Sequence, residues 1–178
     1  MKRIPGYVIP LTVCALATIQ SGAALGEIYL RIDGIQGSSI HVGHENEIAL
    51  NSWQWELSQT TDPNNPIVRP ITITQQFDIA TASLYNMLLS GTKAKTATLT
   101  MTKPGVGGEA NVDYLRIDLN DVSVTTATSA APGEIDRGPP TQSFSLNFSS
   151  VCMTYIVSDP GGGGGAPPPP TCWTFGGK

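Results

Sequence analysis

The feature that most constrains this chain is a period of two in its apolar residues, sustained from Glu27 to Val157. Ala97, Leu99 and Met101 are set between Thr96, Thr98, Thr100 and Thr102. Ile28, Leu30 and Ile32 alternate with Tyr29, Arg31 and Asp33, and Leu115, Ile117 and Leu119 alternate with Arg116, Asp118 and Asn120. Successive side chains on a strand point to opposite faces, so this pattern predicts antiparallel strands with one face buried and the other polar. Three stretches change phase midway. Ile48 and Leu50 give way to Trp53, Trp55 and Leu57; Leu119 gives way to Val122 and Val124; Phe144, Leu146 and Phe148 give way to Val151, Met153 and Tyr155. A one-residue slip would turn the apolar set into solvent, so the chain must bulge or bend at Asn51-Ser52, Asn120-Asp121 and Ser149-Ser150. Repeated bulges curve sheets toward closure, which predicts a barrel or strongly coiled sandwich. Pairs of short strands joined by a turn at each break are the alternative.

One segment, Thr81 to Gly91, departs from the strand pattern. Leu84, Met87 and Leu88 recur at helical spacing, Thr81 or Ser83 can cap the start, and Gly91 suits a left-handed C-terminal residue. A short helix packed on the sheet is expected. Proline and glycine predict long loops at 59–70, 103–111 and 129–140. Beyond Asp159-Pro160, five glycines, Ala166 and four prolines form a linker to Thr171-Cys172-Trp173-Thr174-Phe175. The core domain is therefore expected to end near Ser158, with 159–178 as linker and tail.

The N-terminal stretch has the layout of an export signal: Lys2 and Arg3, an apolar run from Ile4 to Ile19, then small residues at Ala24-Leu25-Gly26 or Ser21-Gly22-Ala23. Pro5, Gly6, Pro10 and Gln20 interrupt it too often for a membrane anchor. Residues 1–26 are accordingly expected to be a cleaved signal, leaving no membrane insertion and a periplasmic or extracellular product. Cleavage would remove Cys14 and leave Cys152 and Cys172, an even pair in an oxidising compartment. A disulfide between them is expected, with a buried thiol and a free one as the alternative. The formal charge of −4 supplies no basic face for phosphates, so nucleic acid is an unexpected partner. Only 13% of residues are charged, which suits burial against other subunits but also fits a Thr- and Ser-rich secreted monomer.

Reaction chemistry finds little support. His41 and His44, with Glu45 and Glu47, are the one cluster of metal-ligand types, but the chain has no third histidine and the spacing makes no tetrahedral site. Glu45, Glu47, Glu56, Asp113 and Asp118 offer carboxylates, yet no spacing selects a pair, and solvent-facing positions are expected for them. No nucleophile turn is present, and the glycine run leads into neither a Gly-Lys-Ser/Thr ending nor a helix. No enzyme activity, metal or cofactor is expected. Trp173 and Phe175 are odd on a free tail and suit docking on a sheet edge or groove, either of the same chain or of the next copy.

The string Ile28-Tyr29-Leu30-Arg31-Ile32-Asp33-Gly34-Ile35-Gln36-Gly37-Ser38-Ser39 resembles the opening strand of the Hcp family, the tube proteins of type VI secretion. His44-Glu45-Asn46-Glu47-Ile48-Ala49-Leu50-Asn51-Ser52-Trp53-Gln54-Trp55 is similar to that family's polar segment and Ser-Trp-x-Trp strand. The likeness continues through the Leu-rich helix, the strand Thr96 to Thr102, Asp113 to Ile117 with Asn120-Asp121-Val122, and Phe144 to Phe148. It covers about 27–157. The resemblance implies a mostly β fold, a small antiparallel two-sheet barrel with one short flanking helix. It also implies hexameric rings made by sheet extension and stacked into a tube that carries small protein cargo. The loop holding Gln59, Asp62, Asn64, Asn65 and Arg69 stands where the family has its ring-stacking loop. Two features depart from the family pattern, the export signal and the Gly/Pro tail, and they point to a periplasmic or extracellular tube or filament. A component of a type VI-like machine and a monomeric secreted binding module are the alternatives.

Overall fold

In a computed structural model, residues 26–62, 66–105, 111–131, 139–156 and 168–175 are described. The elements are β1 (Ile28–Ile32), β2 (Ile48–Gln54), β3 (Leu57–Ser58), β4 (Ile67–Val68), β5 (Ile71–Gln76), α1 (Thr81–Ser90), β6 (Ala94–Lys103), β7 (Val112–Ala130), β8 (Thr141–Asn147), β9 (Ser150–Tyr155) and β10 (Thr171–Thr174). All pairings are antiparallel. Neighbouring strands run β7-β6-β1-β2-β5-β8, and β8 returns to β7, which closes a six-stranded barrel. Strands β9 and β10 extend the wall outward from the first half of β7, and β3–β4 form a separate two-stranded ribbon.

The phase breaks explain the closure. Between Leu50 and Ser52 the β2–β5 register shifts, a bulge at the first break. At the second, Asp121 takes a left-handed φ of 52° and bends β7, so that Leu115–Asn120 face β9 while Ser123–Ala130 face β8. At the third, β8 ends and β9 begins after two intervening residues, Phe148 and Ser149. Ser149 N–H donates to the Asn120 carbonyl at 2.9 Å and its hydroxyl donates to Asp121 Oδ2 at 2.8 Å, locking the step against the bend. Strands β8 and β9 thus act as one kinked strand along β7. Two further register shifts, at Met101/Thr102 and Val124/Thr126, lie where the apolar phase gives no warning.

The alternating apolar residues fill the barrel: Leu30, Ile48, Ile73, Leu99, Ile117, Leu119, Phe144 and Leu146 are fully buried. Each such side chain stabilises the fold by roughly 1.5–3 kcal/mol relative to exposure. Leu84 and Met87 place α1 on this core, and Tyr85 meets Phe144 edge-on at 5.3 Å. Gly91 ends the helix at φ 67°. The start differs from expectation, because neither Thr81 nor Ser83 caps it. Asp78 accepts the Ala80 N–H at 3.0 Å, and the Thr81 hydroxyl is turned back onto the Asp78 N–H at 3.0 Å. The 59–70 loop is also not wholly irregular, since Ile67 and Val68 pair with Ser58 and Leu57.

Candidate assembly surface

Outside the barrel, the β3–β4 ribbon and the C-terminal strand face each other across a groove of about 410 Å³. Trp55, Leu57, Pro66 and Val68 line one side, and Met153, Trp173 and Phe175 the other. Aromatic contacts brace its floor. Phe148 stands edge-on to Trp55 at 5.8 Å and to Phe175 at 5.9 Å. Trp55 Nε1 donates to the Arg69 carbonyl at 3.1 Å, and Arg69 pairs with Glu56 at 3.2 Å, fixing the ribbon's base. On the far wall, Phe175 N–H donates to Ser149 O at 2.8 Å, and β10 pairs with β9 over Thr171↔Met153 to Thr174↔Ser150. Cys152 and Cys172 are directly opposite in that ladder, with Cα atoms 4.0 Å apart and sulfurs at bonding distance.

On another flank, residues 36–47 fold back over β1 and cover Tyr29. The His44 ring is buried and stacks on Tyr29 at 4.2 Å with the planes 4° apart. Its Nδ1 lies 3.0 Å from Glu47 Oε2 and its Nε2 3.0 Å from Asp113 Oδ1. Glu47, only 5% exposed, also accepts from Arg31 at 2.7 Å. The Tyr29 hydroxyl donates to Glu27, whose carboxylate also faces His41 Nε2 at 3.1 Å. Burial pushes the Tyr29 phenol far above the usual tyrosine range, with the Glu27 hydrogen bond and the charges of Glu27 and Glu47 adding to it. Glu45 stands apart on the surface, held below the usual carboxylate range by its own N–H and that of Gly43. The two histidines are therefore directed at different carboxylates, and the structure pins a loop with them.

The family model described as Type VI secretion system effector, Hcp, matches residues 29–155. The chain belongs to the Hcp family. Protein hcp1 of Pseudomonas aeruginosa is 28% identical over 137 residues, which is 72% of this chain and 82% of that protein. Among solved structures, Hcp1 of Salmonella typhimurium is 26% identical with a TM-score of 0.71, over 85% of this chain and 96% of that one. A type VI secretion system effector from Yersinia pestis shares the fold at 22% identity and a TM-score of 0.69, over 83% and 99%.

Within this Hcp barrel, the residues singled out in the sequence fall as follows. Gln59 lines the groove and Arg69 stands at the ribbon's base. Gln59 and the Thr60 hydroxyl both donate to the Asp62 carbonyl, which shapes the loop's rising arm. Asn64 and Asn65 lie outside the described residues, as do the proposed leader apart from Gly26 and most of the linker. Trp173 and Phe175 share the groove with the base of the 59–70 loop, a juxtaposition across more than a hundred residues that no local pattern signals. Of the carboxylates expected to face solvent, Glu47 is buried, and Asp118 is only part-exposed, accepting from Thr98 at 2.7 Å and from Arg116. The His44 network escaped sequence reasoning because Asp113 is 69 residues away.

Proposed function

We propose that this Hcp protein is an exported, non-enzymatic subunit that assembles into rings, hexameric by family resemblance, which stack into a tube or filament in the periplasm or outside the cell. The groove between the β3–β4 ribbon and the tail carries this reading. The barrel interior is filled by its own side chains, and exposed apolar surface is left on the ribbon and tail as well as on Phe77, Ile79 and Leu89 around α1. Leu57, Ile67 and Trp173 are exposed on the ribbon and tail, and Ile40 and Val42 are exposed on the folded-back loop. A chain this poor in charge gains by covering such patches with copies of itself. The loop of Gln59, Asp62, Asn64, Asn65 and Arg69 then makes the ring-to-ring contact, small protein cargo occupies the lumen, and a Cys152–Cys172 disulfide fixes the tail. Among the described residues no helix is long and apolar enough to cross a membrane.

Electron microscopy of the purified mature protein tests the proposal. Rings or tubes are expected; monodisperse particles of monomer mass at high concentration would sink it. The groove also supports a second reading, a secreted monomer that binds an apolar ligand, and the same micrographs separate the two. Localising the protein with and without a contractile sheath decides whether a type VI-like machine delivers it.

A further inference from the structure

Strands β9 and β10 are adjacent and in register, yet about fifteen residues, 156–170, join them where a hairpin needs roughly two to five. A Gly-rich chain of that length has a root-mean-square span of about 20 Å, whereas paired strands lie only about 4.8 Å apart. Linkers act best when their span matches the gap they bridge. This one is longer than pairing with its own β9 requires, which leaves room for a wider span. All four residues of β10 are exposed, and among the described residues its strand pairing is with β9 alone. Here β10 is held on its own β9 by the ladder and by the Cys152 and Cys172 sulfurs at bonding distance, and the same edge would fit an identical strand from another copy.

We propose that the outer edge of β9 is a copy-to-copy docking surface, and that in the assembled state it takes β10 of the adjacent subunit, with Cys172 of one copy bonded to Cys152 of the next. This rests on the ring reading, because exchange needs copies held side by side. For a free monomer, pairing within the chain wins, since no neighbour approaches the effective concentration set by the linker. Inside a ring the neighbouring edge is always present, and exchanging identical strands creates no new interface to be stabilised. Bond formation consumes one oxidised glutathione per pair: two thiols become one disulfide, and two reduced glutathiones carry away the protons and electrons.

The test mixes Cys152→Ser and Cys172→Ser chains, each also carrying Cys14→Ser, assembles them, and oxidises with glutathione disulfide. Non-reducing electrophoresis with intact mass is expected to show the heterodimer that joins the two variants in the ring fraction. Rings without that heterodimer overturn the exchange alone. A failure of any copy to form rings overturns it together with the ring reading. Should a serine variant not fold, reduced wild-type protein, half isotopically labelled, is assembled and oxidised. About half of the Cys152–Cys172 peptide pairs are then expected to be mixed-label, and same-label pairs alone overturn the proposal.

Discussion

His44 shows how one residue can hold a loop to a barrel. Its ring lies flat on Tyr29 with carboxylates at both nitrogens, and Arg31 is a second partner of Glu47. Removing the imidazole strands the Glu47 carboxylate in a buried site with one partner fewer. His44→Ala is therefore expected to destabilise the fold by about 3 kcal/mol, read from the denaturant midpoint at constant slope; a loss below about 1 kcal/mol would show the network to be surface-like in strength. The Tyr29 phenol gives a second handle. Its folded-state pKa is raised, so the stabilisation it confers is complete below the usual tyrosine value of about 10 and is lost as pH climbs toward the folded value. Wild-type protein should lose more stability than Tyr29→Phe between about pH 9 and 11, and equal losses would remove Tyr29 as the cause.

At the scale of elements, the folded-back segment depends on a close backbone approach at Gly37. Gly37 N–H donates to the Asn46 carbonyl at 2.8 Å, and a Cβ there would sit 2.2 Å from Glu47 O and 2.5 Å from Ile48 N. Those atoms belong to the backbone entering β2 and have little freedom to yield. Gly37→Ala should cost about 2 kcal/mol or more and raise amide exchange across 37–47; unchanged protection there would contradict the tight packing. Strand alternation was readable because Leu99, Ile117 and Phe144 keep a period of two through long strands, and the bends were readable because closure demands a change of phase. The helix announced itself by Leu84, Met87 and Gly91. By contrast, β3 and β4 are two residues each, too short for any period, and the prolines beside them signalled only a loop. The His44 clamp depends on tertiary placement, which no local pattern encodes.

For the whole molecule, side chains fill the barrel, and the groove outside it joins two parts that the sequence presents as unrelated. Leu57 is a good probe of this division. It is 54% exposed and pairs with Val68 only through a two-residue ribbon, so its replacement costs the fold little. If stacking uses the groove, Leu57→Lys places a charge in apolar contact surface, and an unpaired buried charge costs several kcal/mol at each interface. In the proposed stack of rings the contact would recur around every ring, so even a fraction of that penalty would multiply. The variant should keep wild-type circular dichroism and melting temperature while long assemblies disappear from micrographs and light scattering. Single rings that survive would locate the groove between rings, whereas a loss of rings as well would place it within them. Tubes of unchanged length at wild-type concentration would remove the groove from the assembly surface altogether.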